Sequence, residues 1–259
     1  MEGKRRLLAI RQFTMYNLQF KLKKIKEFIL DLIFPRECLG CGQAGSYLCK
    51  NCFAQIEVNK HLRCALCKKS NALGLICPDC QKESNLKAIW VAADYNNKLL
   101  QDLIHYLKYK YIEALSEILT ELMTRFLAEN KIFNSFGLNS ENTLLVPVPL
   151  HKKRELQRGF NQSELIVQKL ADHFHFKKIN LLKRNKNTVS QINLKRTERQ
   201  ENIKGAFSSS GSENFDKNKK IILVDDVVTT GSTLNECAKE LAKLGFNEIY
   251  GLVIAQRED

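Results

Sequence analysis

No stretch of this 259-residue sequence approaches the roughly 20 consecutive apolar residues that a membrane span needs. After Lys4, Arg5 and Arg6 comes neither an apolar run of roughly 7–15 residues nor a small-residue cleavage site, so a secretory leader fits poorly. No Gly-Lys-Ser/Thr follows a glycine-rich turn, which excludes a phosphate loop of the Walker type. Helicase and nuclease motifs are absent, and the one internal repeat is a doubled cysteine unit. Acidic residues are also short: 28 Asp and Glu against 41 Lys and Arg give a formal charge of +13 and a pI near 9.3. Such a surface favours polyanionic, phosphate-rich ligands, or is simply a solvated lysine-rich surface. With 44% hydrophobic and 27% charged residues the composition is that of a globular protein with a packed core.

Cysteine, by contrast, is plentiful. Eight of the nine fall between Cys38 and Cys80 as four C-x-x-C pairs: Cys38 and Cys41, Cys49 and Cys52, Cys64 and Cys67, Cys77 and Cys80. Two residues between thiols let one tight turn aim both sulfurs at a single ion, and two such turns complete a tetrahedral site. Eight ligands make two closed, structural zinc sites, and consecutive pairing is favoured over interleaved pairing. Redox dithiols or an iron–sulfur cluster would use the same residue type, but four pairs within one short segment favour zinc. The segment is poor in periodic apolar residues, so the metal would supply the stability that its core lacks. Metal-site spacing rather than a disulfide framework points to a reducing, cytoplasmic compartment. Cys237 stands on the apolar face of a helix and reads as a small buried hydrophobe.

Residues Met1 to Phe34 have the pattern of a basic amphipathic helix, ended by Pro35. It would dock on its own domain, or on a membrane surface or nucleic acid. After the cysteines, Ala88–Tyr95 reads as a strand and Asn97–Asn130 as helix, broken near Lys110, with Leu99, Leu103, Ile104, Leu107, Leu115, Leu119, Leu122 and Phe126 at helical spacing. Leu144–Pro149 reads as a buried strand, followed by a basic loop and a helix over Ser163–Phe174. Lys183–Lys204 is polar and reads as a mobile loop. Ile221–Val224 is a strand, Thr233–Leu244 a helix capped by Gly245, and Ile249–Ala255 a final strand. Alternating strands and helices predict an α/β domain with a mainly parallel sheet covered on both faces. The expected organisation is a helical segment at residues 1–37, a double zinc ribbon at 38–87 and an α/β domain at 88–259.

The most informative segment is Ile221-Ile-Leu-Val-Asp225-Asp226-Val-Val-Thr229-Thr230-Gly231-Ser232-Thr233. A buried strand delivers two adjacent carboxylates to its C-terminal end, where open α/β sheets bind ligands. A hydroxyl- and glycine-rich turn then opens a helix, the arrangement a phosphate monoester needs. The carboxylates suit ribose hydroxyls and, directly or through water, Mg²⁺. A second strand, Val146-Pro-Val-Pro149, empties into a segment with the cations and amides a pyrophosphate requires: His151, Lys152, Lys153, Arg154, Arg158, Gly159, Phe160, Asn161 and Gln162.

The acidic pair with its Thr-Thr-Gly-Ser-Thr turn closely resembles the signature of type I phosphoribosyltransferases. Taken with Arg158-Gly-Phe-Asn-Gln162 and Thr188-x-x-Gln191-x-x-Leu194-x₄-Arg199-x-x-Asn202-x-x-Gly205-Ala206-Phe207, the chain from about Leu32 to its end resembles the ComF family. That family joins an N-terminal zinc ribbon to a phosphoribosyltransferase domain. The resemblance implies that Asp225 and Asp226 hold the ribose 2- and 3-hydroxyls of 5-phosphoribosyl 1-pyrophosphate and that Thr229, Thr230, Gly231, Ser232 and Thr233 hold its 5-phosphate; Arg154 and Arg158, from the cationic segment, are the candidates for its pyrophosphate and, with the two carboxylates, for catalysis. Mg²⁺ would enter with that ligand. It also implies an accessory role in the uptake or processing of single-stranded DNA during natural transformation, with a competence helicase or other DNA-processing proteins as partners. Thr229 stands where purine-salvage relatives carry a carboxylate, so a general base for a purine is missing there. Transfer to another acceptor, and a zinc-ribbon adaptor with a vestigial site, are the alternatives. For single-stranded DNA, Lys195, Arg196 and Arg199 would join the cations of residues 152–158, with Tyr95, Tyr106, Tyr109 and Phe160 as stacking platforms or, more simply, core.

Overall fold

The computed structural model describes residues 36–188, 196–210 and 215–257. The expected helix of residues 1–34, and Gln191, Leu194 and Lys195, lie outside them. The chain divides into two compact units, Met1–Gln55 and Ile56–Asp259. In the first, α1 (Lys50–Ala54) follows the cysteine turn in which Gly42 N donates to Cys38 O.

The second unit is built on five parallel strands, β1 (Ala88–Asp94), β2 (Thr143–Pro147), β3 (Lys177–Lys178), β6 (Lys220–Val228) and β7 (Ile249–Gln256), in the order β1-β7-β6-β2-β3. β7 is buried at every position and β6 at most, as expected of strands covered on both faces. One face receives α4 (Leu115–Glu129) and α7 (Gln162–Phe174), whose buried stripes pack against β1 and β2 respectively. The opposite core joins Ile221 and Leu223 of β6 to Leu234, Cys237, Ala238 and Leu241 of α9 (Ser232–Lys243), and to Cys64, Ala65, Ile76 and Cys77. Cys237 is fully buried there, as a small hydrophobe should be.

The helical stretch after β1 is two helices. α3 (Lys98–Tyr109) is capped by Asn97, whose side chain accepts from Leu100 N at 3.0 Å, and buries Leu100, Leu103, Ile104 and Leu107. It ends at Lys110, and Tyr111 turns the chain with φ 57° before α4 begins. α5 (Ile132–Phe136) then leads to β2.

The structure corrects three expectations. The basic loop after β2 contains a short helix, α6 (Lys152–Arg158): its Lys-Lys-Arg-Glu-Leu-Gln-Arg sequence consists of good helix formers, His151 caps it, and Gly159 ends it at φ 84°. The Lys183–Lys204 loop is partly ordered. It begins in β4 (Leu182–Arg184), which pairs antiparallel with β5 (Phe207–Ser209), and it includes α8 (Arg196–Ile203). A pairing of such short strands across more than twenty residues leaves no periodic trace in the sequence. Finally, β6 continues to Val228, so the acidic pair lies within the strand and not beyond it.

The second cysteine group belongs to this unit and is tied to the sheet at several points. Its chain forms a 3-10 turn at Ala72–Gly74 and α2 (Pro78–Gln81), which carries Cys80. Val58 bridges Ala93 and Leu75 bridges Ala88, while Asn59 N donates to Ala92 O. Gln256 Nε2 at the end of β7 donates to Ala65 O at 2.6 Å, and Asn235 Nδ2 of α9 to Glu83 O at 2.8 Å. Among the described residues no helix is long and apolar enough to cross a membrane.

Candidate ligand cleft and metal centres

Cys38, Cys41, Cys49 and Cys52 gather their sulfurs within 4.8 Å of one another, and so do Cys64, Cys67, Cys77 and Cys80. The pairing is therefore consecutive. With Zn–S bonds of about 2.3 Å, the edge of a tetrahedral site is about 3.8 Å. The Cys41–Cys49 and Cys67–Cys77 sulfurs stand 3.7 and 3.5 Å apart, so both groups fit a zinc ion of four thiolates. Backbone N–H groups favour the thiolate at one cysteine of each group, Cys38 and Cys77. Burial alone raises the Cys38 thiol, but the N–H groups of Cys49, Cys41 and Gly40 outweigh it and bring it down to about 6.

A cleft of about 390 Å³, within the range of small-molecule sites, opens at the C-terminal ends of β2, β6 and β7. Asp225, Asp226, Arg154 and Arg158 line it, together with Thr229 and Thr233. It also draws on residues that sequence reasoning missed: Lys108 of α3, Arg184 of β4 and Arg257 just past β7.

The carboxylates are held by the start of α7. Asn161 caps this helix by accepting from Ser163 N and donates its own amide to Val148 O, fixing α7 against the end of β2. Ser163 Oγ then donates to Asp225 Oδ1 at 2.9 Å, and Gln162 Nε2 to Asp226 Oδ2 at 2.7 Å. Arg158 Nη1 donates in turn to Gln162 Oε1, which orients that amide. Lys108 Nζ lies 2.7 Å from Asp226 Oδ1, with both side chains largely removed from solvent. Burial lowers the lysine's pKa, yet the attraction of Asp226 and Asp225 outweighs it and the net direction is upward. On the other wall Arg154 donates to Thr188 O at 2.7 Å, Arg184 donates to Thr188 Oγ1, and Arg184 lies over the Phe207 ring. Arg184 Nε is buried and finds no hydrogen-bond partner among the described residues.

Burial and the Asp226 charge push the Asp225 carboxyl from its ordinary 3.8 up to about 7. A folded-state value above the unfolded one means that folding disfavours the carboxylate: stability is lost as pH rises from about 4 to about 7 and is unaffected below both values. Asp225→Asn keeps the acceptor for Ser163 and removes the charge. It should therefore stabilise the fold by about 1–4 kcal/mol near pH 8 and by nothing near pH 4. Equal shifts in melting temperature at the two pH values would contradict this account.

The turn after β6 is divided. Thr229 and Thr233 face the cleft, whereas Thr230, Gly231 and Ser232 line a separate hollow of about 280 Å³ with Leu66, Cys80 and Asn235. Gly231, at φ 79°, caps α9, and a Cβ there would lie 2.4 Å from Leu66 Cδ2. The absence of a side chain at Gly231 thus also admits a leucine of the ribbon. Gly231→Ala should cost about 1–3 kcal/mol from the left-handed backbone, plus the clash. The clash should vanish in a Leu66→Ala background, and denaturant midpoints for the four proteins separate the two contributions.

Of the aromatic residues proposed for stacking, Phe160 is buried, Tyr95 and Tyr106 are half-buried, and Tyr109 is 48% exposed at the cleft, 5.9 Å from the Arg158 guanidinium. Arg196 and Arg199 fall on α8.

A parallel sheet ending in this carboxylate-and-hydroxyl cleft, in a chain that also carries two four-cysteine groups, defines a phosphoribosyltransferase-type domain with a double zinc ribbon. The phosphoribosyl transferase domain family matches residues 161–258, and the double zinc ribbon domain family residues 29–81. Competence protein F of Haemophilus influenzae is 32% identical over 229 residues, covering 81% of this chain and 98% of that protein. Competence protein ComFC of Bacillus subtilis is 28% identical over 209 residues, 76% of this chain and 79% of that protein. DNA utilization protein YhgH of Escherichia coli K12 is 29% identical over 215 residues, 76% and 92% of the two chains. The chain belongs to the ComF family of competence proteins.

Proposed function

We propose that the cleft binds 5-phosphoribosyl 1-pyrophosphate with Mg²⁺, and that the protein is a cytoplasmic accessory factor in handling single-stranded DNA during natural transformation. The observation that carries the first part is the convergence of Lys108, Arg154, Arg158, Arg184 and Arg257 on one cleft with two adjacent carboxylates. Five cations against two acids suit a multiply phosphorylated anion, and the carboxylates suit vicinal hydroxyls. Asp225 and Asp226 would hold the ribose, Thr229 to Thr233 the 5-phosphate, and Arg154 and Arg158 the pyrophosphate. Mg²⁺ would neutralise part of the pyrophosphate charge. Titration calorimetry should show binding in Mg²⁺ that is lost in chelator. No binding under either condition would remove this reading.

The second part is supported by the relatives named for competence and for DNA utilization, and by Lys152 and Lys153, which are exposed beside the cleft on α6. If DNA follows these cations, its affinity falls with salt at a log–log slope of about −0.7 for each neutralised phosphate. Phosphoribosyl pyrophosphate should then compete with DNA, and reversing the charge at Arg154 and Arg158 should weaken both. DNA binding that is insensitive to salt, or untouched by those reversals in folded protein, would assign the basic charge elsewhere. A competence helicase or other DNA-processing protein would be the partner in the cell.

The ordered carboxylate pair also supports a second reading, transfer of the phosphoribosyl group to an acceptor. Thr229 offers no general base, which weighs against a purine acceptor. Transformation frequency in a deletion strain separates these readings from an adaptor with a vestigial site. Full rescue by Asp225→Asn/Asp226→Asn would mean an adaptor, and no rescue would mean that the cleft is required.

A further inference from the structure

We propose that Lys108 acts as a resident counter-cation that keeps free divalent metal off Asp226, so that metal enters the cleft only together with an anionic ligand. This rests on the reading of the cleft as a phosphoribosyl site. Lys108 lies near the C-terminal end of α3. It stands four residues after Ile104, on the same face as the buried stripe, so its ammonium is carried toward the interior and not into bulk water. A buried ammonium without a partner is costly, and here the partner is Asp226, at 2.7 Å.

The consequences for metal binding follow from the way Asp226 is occupied. Its Oδ1 faces Lys108 and its Oδ2 accepts from Gln162, which Arg158 orients. A hard cation bonded to Oδ1 at about 2.1 Å would be driven into contact with the ammonium. Two positive charges at that separation, in a site largely shielded from water, repel strongly. The neighbouring Arg154, Arg158, Arg184 and Arg257 make the cleft still less hospitable to a bare cation. An anion reverses the balance. Its phosphate oxygens offer Lys108 another acceptor within the same cleft, and Asp226 is freed for hydroxyls or metal. Lys108 is thus a positioning residue that couples the two ligands, and the coupling must be reciprocal.

The test uses the full-length protein with both zinc sites filled, and Mn²⁺ as the probe, followed by electron paramagnetic resonance. Wild type without ligand should leave Mn²⁺ essentially free. Lys108→Gln, which keeps a donor but not the charge, should bind it at least about tenfold more tightly, and Lys108→Arg should restore exclusion. Adding Asp226→Asn to Lys108→Gln should abolish the gained site, which places the ion at this carboxylate. Phosphoribosyl pyrophosphate should raise Mn²⁺ affinity in wild type by a larger factor than in Lys108→Gln. Equal Mn²⁺ affinity in ligand-free wild type and Lys108→Gln would overturn the proposal, as would a gained site that survives Asp226→Asn. Lys108→Met serves if Lys108→Gln does not fold, with zinc content and melting temperature as the criterion. Because the ligand-free comparison needs no phosphoribosyl compound, it stands even if wild type fails to bind one, an outcome that sinks only the reading of the cleft.

Discussion

Metal analysis of freshly reduced protein should give close to two zinc per chain, and Cys64→Ser should leave close to one. The two sulfur groups share no ligand, so a change in one group removes one ion. Zinc in four-cysteine peptides is worth about 10–16 kcal/mol in apparent binding free energy, several times what a short, core-poor segment gains by burial. Cys41→Ser should remove the other ion. Cys237→Ser should leave both in place, since Cys237 is fully buried against β6 and belongs to neither group. The effect of Cys64→Ser should reach beyond zinc content, because Ala65 accepts from Gln256 and Leu66 packs on Gly231. A content near zero, or iron in place of zinc, would overturn the assignment of the eight thiols.

The next largest effect is expected at the acidic pair. Asp225→Asn/Asp226→Asn should weaken phosphoribosyl pyrophosphate by at least about 1.5–3 kcal/mol, the scale of hydrogen bonds to charged groups, or roughly tenfold to a hundredfold in affinity. Asparagine keeps the shape and the acceptor for Ser163, so the zinc content should not change. The change also leaves Lys108 without its counter-charge, which limits how much of the loss belongs to the ligand's hydroxyls alone. Calorimetry on Lys108→Gln/Asp226→Asn separates these contributions. Unchanged affinity in the double asparagine variant would place the ligand elsewhere.

Much of this site was legible because its chemistry is written in contiguous residues. The acidic pair, the turn after β6 and Arg158-Gly-Phe-Asn-Gln162 are single runs of sequence, and each carries its own local geometry. Thiol spacing marked the eight ligands for the same reason and favoured the consecutive grouping that the structure shows. What could not be read is what distant elements bring in. Lys108 comes from α3, Arg184 from a three-residue strand and Arg257 from the far end of β7, and only the topology places them in one cleft. Lys108 did leave a trace: a charged residue in register with an apolar stripe asks for a buried partner. Arg184 left none, since β4 is too short to show alternation. A second use of Gly231 was also out of reach: a glycine before a helix can make room for a neighbouring side chain, and Leu66 lies 165 residues upstream.

The bridges of Val58 and Leu75 to β1 bear on how the α/β unit could be isolated. β1 is the outermost strand on its side of the sheet and is buried at five of its seven positions. A chain cut just before residue 88 would therefore present a row of unsatisfied N–H and C=O groups flanked by apolar side chains, which is a template for intermolecular strand pairing. The second ribbon half blocks that edge. Such a fragment should self-associate where the chain beginning near Ile56 stays dispersed, and zinc chelation should shift the longer protein toward the same behaviour.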